Sequence, residues 1–334
     1  MYWRKNWVCL RQSGERYRPE QSACRRYICV SQDGPVDDGV RKVVMRHNDP
    51  QWSYEQHQDH DEQIIKENKL PSCYLTPESV DAWRHRRMHN TLLPLIRAFP
   101  KDSWITLGDG KYGSDAYFLK QNGISVLATS LSDTTLTHAR DLGYLDNIKS
   151  QNAEQIEEAD SSFDFVLCKE SYHHFPRPPI AFYEMLRVSK KAVVLIEPVE
   201  GGKKALDYLK LLVKKILRKG KSTLFEPSGN YIYKVDLDEI SRMMTALNYE
   251  FIAFKKINDF YHPKFSEGRY NLASVGTLIT LAGIAVQNLF CFLRLMNYGL
   301  ATVIAFKSDP TERLQKELLR NGFRIIFLPN NPYR

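Results

Sequence analysis

The sequence has few cysteines and none at the spacing that binds zinc or forms a redox pair. Its six cysteines are scattered, and no C-x-x-C pair occurs. This argues against a disulfide framework and against a metal site, and it favours a reducing compartment. The first ten residues contain no continuous apolar run, so we expect no secretory signal and a cytoplasmic protein. Internal repeats and low-complexity tracts are also absent from the sequence, which excludes solenoid and fibrous architectures.

The charge of the chain is moderately basic. Its 334 residues contain 47 lysines and arginines against 39 acidic residues, a formal net charge of +8. Such a charge permits contact with an anionic substrate, nucleic acid or a membrane surface without proving any of them. The length suits one large α/β domain with appendages, and 43% hydrophobic residues are typical of a globular protein.

The stretch from Ile105 to Asp115 contains the strongest local signal. It predicts a short buried strand, a turn rich in glycine, and a helix that starts near Asp115. A strand that turns through glycines into a helix N-terminus presents free backbone N–H groups and the helix dipole to an anionic or nucleotide-like ligand. The glycines fit the G-x-G-x-x-G dinucleotide pattern, which is a weak signal by itself (Gly108, Gly110 and Gly113).

Strands and helices alternate after this loop. Apolar runs predict strands at 123–130, 163–170 and 192–198, and a helix at 181–188 precedes the last of them. This order predicts right-handed crossovers and a doubly wound, mostly parallel α/β sheet with helices on both faces. Open sheets of this kind bind ligands beyond the carboxyl ends of their strands. The residues that follow each strand are therefore candidate site residues.

Over residues 104–197 the chain resembles the class I S-adenosylmethionine-dependent methyltransferases. The likeness is to the small-molecule branch that includes the ubiquinone and menaquinone biosynthesis enzymes, with a type 11 domain. It rests on the glycine loop, on the His-His-Phe that follows the strand ending at Glu170, and on Leu-Ile-Glu-Pro at 195–198. The resemblance implies a Rossmann-like, seven-stranded sheet, S-adenosylmethionine as cofactor, and a small-molecule acceptor. We expect that acceptor to be a hydroxyl of a sugar, glycolipid or similar metabolite.

The resemblance also implies which residues contact the cofactor. They belong to the glycine loop, the end of the second strand, the turn that carries the family's adenine contacts, and the end of the third strand: Gly108, Asp109, Gly110, Tyr112, Gly113, Ser130, Leu131, Asn152, Ala153 and Lys169. Two positions depart from the family, because Thr106 and Ser130 stand where it usually has acidic residues. Asp109 and Asp133 are the candidates to compensate.

At the end of the strand 163–170 and just beyond it, three side chains are able to accept a proton. They are the candidate catalytic residues: His174, Glu170 and His173. Methyl transfer from a sulfonium is an in-line displacement, so the protein mainly aligns the acceptor. A hydroxyl acceptor also benefits from a general base. We rank His174 first and Glu170 second. The alternative for either histidine is a scaffold hydrogen bond.

The sequence predicts three parts of the chain. We expect a partly disordered N-terminal extension at 1–75, the methyltransferase domain at 76–310 and a closing helix–strand unit at 311–334. Within the domain, residues 203–221 predict a basic amphipathic helix that packs on the sheet or contacts an anionic membrane surface. Residues 271–295 are long and apolar enough to raise a membrane span, but they contain polar residues. We predict a buried helix there, between the last two strands.

The helix before the first strand has two interpretations. We predict that it starts at Thr76, with threonine as N-cap and Pro77 in the first turn. Its basic cluster at 84–87 is either a solvated face or part of a helix that lies over the cofactor mouth.

Three other functions stay open from the residues alone. A nicotinamide-dependent dehydrogenase fits the glycine pattern, but the chain has no Tyr-x-x-x-Lys pair. A nucleic-acid methyltransferase fits the basic segments, but no Asn-Pro-Pro-Tyr-like motif follows the strand at 163–168, and we expect no nucleic-acid partner. A non-catalytic binding protein is suggested by Thr106 and Ser130. A homo-oligomer also stays open.

Overall fold

The fold is described from a computed structural model of the chain. It describes residues 9–10, 28–29, 53–56, 58, 77–202, 204, 206–208, 224–225 and 231–333. The chain divides into two units, 1–48 and 49–334. In the first unit, strand β1 (Cys9–Leu10) pairs antiparallel with β2 (Ile28–Cys29). Most of the basic helix predicted at 203–221 and its side chains lie outside the described residues, as does Thr76.

The second unit is built on an eight-stranded sheet. Its strands are β3 (Ser103–Leu107), β4 (Ser125–Ser130), β5 (Asn147–Ser150), β6 (Phe163–Lys169), β7 (Ser189–Pro198), β8 (Phe251–Ile257), β9 (Leu300–Phe306) and β10 (Arg324–Phe327). They lie in the order β10-β8-β9-β7-β6-β3-β4-β5. The doubly wound, mostly parallel sheet is confirmed, because only β9 and β10 run against the others. The count is eight rather than seven, since β10 from the C-terminal segment pairs with the edge of β8.

The helices cover both faces of this sheet. They are α1 (Val80–His89), α2 (Leu93–Ala98), α3 (Ser114–Gln121), α4 (Thr134–Asp141), α5 (Pro178–Val188), α6 (Leu237–Ala246), α7 (Pro263–Ser266), α8 (Val275–Phe292) and α9 (Glu312–Arg320). Short 3₁₀ turns occupy Asn90–Leu92 and Tyr172–His174.

Neighbouring residues on the central strands belong to different cores. On β3, Trp104 packs into one buried cluster and Ile105 into the other, and Phe165 and Val166 divide in the same way on β6. Successive side chains of a strand point to opposite faces, so both faces of these strands are covered. This explains the continuous apolar runs of the sequence, which are typical of parallel strands buried on two sides.

Helix α1 begins later than the sequence predicted. Ser79, not Thr76, is its N-cap, and the Ser79 hydroxyl accepts the backbone N–H of Ala82 at 3.0 Å. The observed start lies about one helical turn after the predicted one. The two positions were hard to distinguish from sequence, because both residues have a hydroxyl that can cap a helix.

Helix α8 is present where an apolar helix was predicted, but the prediction of burial is wrong. Only 22% of its 18 residues are buried, and its mean hydropathy is 1.7. By length and composition alone, it is the one helix in the described part of the chain that is able to cross a membrane. Apolar composition does not determine which surface covers a helix, and most of α8 is left uncovered.

Candidate functional site

The sheet gathers the predicted site residues at one edge. The glycine loop follows β3, Ser130 ends β4, Asn152 lies just beyond β5, and Lys169 ends β6. These four strands are parallel neighbours, so their carboxyl ends meet at the same edge. The histidine pair lies in the 3₁₀ turn directly after β6. The predicted residues therefore share one region, and the contacts below divide them into distinct roles.

Gly108 brings the glycine loop against the segment that follows β6. Its φ is +67°, and a Cβ added there would lie 2.6 Å from the Cβ of Ser171. The Ser171 hydroxyl donates to the Gly108 carbonyl oxygen at 2.6 Å. Only glycine satisfies both the backbone conformation and this close approach. The loop is thus fixed to the start of the histidine turn.

Asp109 occupies the N-terminus of α3. Its carboxylate accepts the backbone N–H groups of Asp115 at 3.1 Å and Ala116 at 2.9 Å. The same carboxylate accepts the hydroxyl of Thr106 at 3.0 Å, so it lies beside the position where the resembled family has its acid. The prediction that the free N–H groups of this helix face a ligand is corrected for these two residues, because a protein carboxylate already binds them.

A buried ion cluster lies next to this cap. The Lys169 Nζ is 3.1 Å from Asp115 Oδ1 and 3.5 Å from Glu170 Oε2. His89 Nε2 is 2.6 Å from the same Asp115 oxygen. Lys169 was predicted as a cofactor contact, but in this structure its ammonium group lies between two carboxylates of the protein.

The carboxyl groups of the cluster have opposite pKa shifts. Burial, followed by repulsion from Asp115, raises the pKa of Asp109 to about 7. For Asp115, burial acts upwards, but Lys169 and His89 together lower its pKa below the ordinary value. At neutral pH the cluster therefore keeps Asp115 ionised, while Asp109 is near its point of titration.

Helix α1 lies over the carboxyl edge of the sheet. This agrees with the interpretation in which the helix covers the cofactor mouth. His85 Nδ1 is 3.4 Å from Glu170 Oε2. Arg84 is buried, and it donates to Asp81 at 2.5 Å and, through Nε, to Asp259 at 2.8 Å. Burial, followed by the charge of Lys169, lowers the pKa of His85 well below its ordinary value, so this imidazole is neutral at pH 7.

His89 is a site residue that sequence reasoning missed, and His85 was considered only as part of the basic cluster at 84–87. Their spacing of four places both side chains on one face of α1, one turn apart. That spacing was a usable signal. What the sequence lacked was the direction of this face, which depends on how α1 packs across the sheet.

Glu170 is held in an unusual conformation beside the cluster. Its φ is +50°, and its backbone N–H donates to the Ile196 carbonyl at 2.9 Å. Burial acts upwards on the Glu170 pKa, but Lys169 and then His85 lower it to about 2. A non-glycine residue with positive φ is strained and is often found at functional sites. Glu170 is therefore ionised at neutral pH.

The histidine turn is organised by Glu197 on β7. This fully buried carboxylate accepts the backbone N–H of Ser171 at 2.8 Å and of Tyr172 at 2.9 Å. Its other oxygen lies 2.6 Å from His173 Nδ1. The ring of His174 is 4.0 Å from that of His173. Sequence reasoning used Glu197 only as part of a motif and missed its contact with the histidine.

Two predicted cofactor contacts have other roles. Tyr112, predicted as a cofactor contact, is buried with Leu136 in a cluster at α4, and its ring meets His138 edge-on at 6.0 Å. Asn152 uses its side-chain oxygen to accept the backbone N–H of Glu154 at 2.9 Å, so it stabilises the turn after β5. Ala153, also predicted as a cofactor contact, lies in the core. The carbonyl oxygen of Gly110 accepts a hydrogen bond from the Thr135 hydroxyl at 2.7 Å, which ties the glycine loop to α4.

A short segment before α1 reaches the same turn. The Tyr54 hydroxyl donates to Glu154 at 2.6 Å, and the Arg177 side chain donates to the same carboxylate at 2.6 Å. Glu154 is buried. Tyr54, within the predicted N-terminal extension, therefore contacts the turn after β5.

The sequence of this region matches a known domain family. Residues 105–196 match the family model described as a methyltransferase domain. This segment is a methyltransferase domain, and the chain is an S-adenosylmethionine-dependent methyltransferase. The matched segment begins in β3 and ends in β7, so it contains the glycine loop, Glu170 and the histidine turn.

Solved structures with partial likeness include three methyltransferases or related proteins. YcgJ from Bacillus subtilis is 17% identical over 66% of this chain and 100% of its own, with a TM-score of 0.42. A possible histamine N-methyltransferase from Thermotoga maritima is 18% identical over 75% and 99%, with a TM-score of 0.44. Magnesium protoporphyrin IX methyltransferase from Synechocystis, solved with bound S-adenosylhomocysteine, is 13% identical over 69% and 86%, with a TM-score of 0.43. No curated protein matches this chain.

The observed residues fit S-adenosylmethionine better than a dinucleotide. A pyrophosphate needs the helix N-terminus that Asp109 occupies. A sulfonium is a cation, and the ionised Asp115 and Glu170 suit a positive ligand. Gln151 at the end of β5 is buried, and neither atom of its side-chain amide has a hydrogen-bond partner. An amide offers the donor and acceptor that an adenine edge requires.

We expect Asp109→Asn to change how stability depends on pH. A carboxyl whose pKa is raised on folding binds more protons in the folded state, so the free energy of unfolding falls as pH rises from about 4 to about 7. Asparagine removes that slope. Relative to the parent, the variant should gain on the order of 1–4 kcal/mol between pH 4 and pH 8, at about 1.4 kcal/mol per unit of pKa shift.

Urea unfolding at both pH values measures this difference. His85 and His89 produce the opposite slope below pH 6.5 because their pKa values are lowered, but they do so in parent and variant alike. Asp133→Asn, at an exposed carboxyl, is the matched control and should show no gain. A constant difference between parent and Asp109→Asn at all pH values would contradict the raised pKa.

Proposed function

We propose that this enzyme methylates a hydroxyl group of a small molecule, such as a sugar or glycolipid, with His173 as the general base. The contact that supports this is the 2.6 Å hydrogen bond between His173 Nδ1 and the buried Glu197. A carboxylate on Nδ1 favours the tautomer with its proton there, which makes Nε2 the proton acceptor. A hydroxyl is the acceptor that needs such a base.

These contacts assign a role in the reaction to each residue. Glu197 orients His173 and fixes its tautomer, and Nε2 removes the acceptor proton as the oxygen attacks. Bound S-adenosylmethionine supplies the methyl group and a neutral thioether as leaving group. Asp115 and Glu170 keep negative charge at the edge where the cofactor's positive charge belongs. The turn after β5, with Gln151 and Asn152, is the proposed adenine side.

The ranking of the bases thus differs from the sequence-based order. His173 now precedes His174, because His173 has a carboxylate partner that fixes one nitrogen. Glu170 is the second alternative, since its carboxylate stays ionised at neutral pH. The remaining cofactor residues proposed from the sequence are the loop glycines with Ser130 and Leu131, which lie at the edge.

Other parts of the proposal concern the whole chain. We infer a cytoplasmic protein with a small-molecule partner and without nucleic acid; the buried free thiols of Cys168 and Cys291 fit a reducing compartment. The domain limits of 76–310, with an extension before and a closing unit after, stay a prediction. A homo-oligomer and a membrane contact through 203–221 stay predictions as well.

Titration calorimetry with S-adenosylmethionine and with NAD tests the cofactor. We expect saturable binding of S-adenosylmethionine and no heat from NAD, because the α3 N-terminus is occupied by Asp109. Methyl transfer from labelled S-adenosylmethionine to sugar and glycolipid hydroxyls then tests the acceptor. Tighter binding of NAD would support the dehydrogenase, and binding of neither would support a protein that kept only the fold.

A further inference from the structure

Helix α8 keeps polar contacts on the side that faces the protein. Thr277 and Thr280 are fully buried there beside the buried Ile284 and Cys291, and the Thr277 hydroxyl accepts the backbone N–H of Asn271 at 3.1 Å. Further along, the half-buried Gln287 amide donates to the Asp259 carbonyl at 3.3 Å. A surface helix of a globular protein normally turns such residues towards water.

Glycines on this inner side fix the direction in which α8 faces. A Cβ added to Gly283 would lie 2.7 Å from the ring of Phe260, and one added to Gly276 would lie 3.0 Å from the Phe265 carbonyl. Neither position leaves room for a side chain. Rotation of α8 to bury its apolar side would therefore break this packing as well as the polar contacts.

The outward side of α8 is apolar and exposed. Val275 is 67% exposed, Leu289 54% and Phe292 80%. With Leu278 and Val286 they form what we name the apolar face of α8. Asn288 is the one polar residue among the exposed positions of this helix. Large contiguous apolar surface of this kind marks a site of contact with a membrane or another protein.

Charge around the apolar face favours an anionic lipid surface as its occupant. No charged residue occurs from Tyr270 to Leu293, and exposed Arg294 stands just outside the C-terminal end, whereas Arg269 at the other end is paired with Glu78 at 2.6 Å. At the C-terminal end, the backbone N–H of Leu206 donates to the Leu295 carbonyl at 3.3 Å, so the chain that starts residues 203–221 meets α8 there. That segment has eight basic residues and one acidic residue in the sequence.

We propose that the apolar face of α8 docks on an anionic membrane surface, with the helix lying in the plane of the interface. Apolar side chains enter the headgroup boundary, and basic residues at the C-terminal end of the helix contact anionic lipids. The helix does not span, because its inner side is bonded to the protein. α8 also packs against α1, the helix over the carboxyl edge, so docking places that edge close to the membrane. The proposal does not depend on the chemistry of methyl transfer.

Vesicle flotation of the full chain tests this surface. We expect the parent to float with vesicles of phosphatidylcholine and phosphatidylglycerol, to float less with phosphatidylcholine alone, and to lose binding as salt rises. Leu289→Ser combined with Phe292→Ser should weaken binding at least ~10-fold, since two large apolar side chains no longer leave water on docking. Leu319→Ser is the matched control, because Leu319 on α9 is also 54% exposed.

The outcomes distinguish docking of the apolar face on lipid from docking on a second copy of the protein. An unchanged Leu319→Ser variant beside a non-binding double variant supports the proposal, provided that both retain the circular dichroism spectrum of the parent. Absence of vesicle binding by the parent would overturn it. So would a parent dimer in light scattering that Leu289→Ser with Phe292→Ser converts to monomer, because the face would then be covered by a second copy.

Discussion

Replacing His173 with alanine is expected to lower kcat by ~10²–10⁴-fold, the usual contribution of a general base. The affinity for S-adenosylmethionine should stay near that of the parent, because the ring of His173 is bonded to Glu197 on β7, outside the proposed cofactor contacts. Steady-state kinetics with an acceptor found in the transfer assay, together with calorimetry of cofactor binding, measures the two effects separately.

Parallel variants identify the base if it is another residue. His174→Ala and Glu170→Gln test the two alternatives by the same pair of measurements. His138→Ala is the matched control, since this histidine is exposed on α4. A full loss of kcat in His174→Ala with an active His173→Ala would transfer the role to His174. If all three variants stay active, the acceptor is a good nucleophile that needs only positioning.

Replacing Lys169 with methionine is expected to lower the free energy of unfolding by ~3–5 kcal/mol at pH 7. Lys169 is buried, and its ammonium group is the shared cation of Asp115 and Glu170. Methionine fills similar space but leaves two ionised carboxylates without that partner, the buried Asp115 and the half-buried Glu170. Urea unfolding measures the loss, and Lys190→Met, at an exposed lysine, should change stability by less than ~0.5 kcal/mol.

The loss in Lys169→Met should depend on pH in a defined direction. A carboxyl with a lowered pKa contributes stability above its unfolded value and loses it as the pH falls through its folded value. For Glu170 that interval runs from about 4.5 down to about 2. The deficit of the variant should therefore shrink as the solution is acidified below pH 4.5. An equal deficit at pH 7 and pH 3 would show that lost packing, rather than lost charge pairing, causes it.

Much of the fold and the place of the site were predictable from local sequence. Alternating apolar runs predict strands and helices, and the right-handed crossover then forces a parallel sheet. Once the strands are parallel, the residues that end them must meet at one edge. This is why the sequence alone predicts Gly108, Ser130, Lys169 and the histidine turn in the same region.

The partners of the site's side chains were not predictable in the same way. His85 and Glu170 are 85 positions apart, and their 3.4 Å contact depends on the direction in which α1 crosses the sheet. Asp109 was noted as a loop acid, but its hydrogen bonds to the N-terminus of α3 follow from the bend that the glycines produce. Tyr112 was placed at the site by motif alone, and packing turned it towards Leu136.

The sequence by itself determined the order of strands, the glycine turn and the edge where ligands bind, because these depend on residues close together in the chain. Only the tertiary structure decided which carboxylate holds which cation, which nitrogen of His173 is fixed by Glu197, and which side of α8 is covered. Hydrophobic composition favours burial in general, but shape and hydrogen bonding select the surface that achieves it. On α8 the buried polar contacts and the close glycines were satisfied against the protein, and the apolar side was left outward.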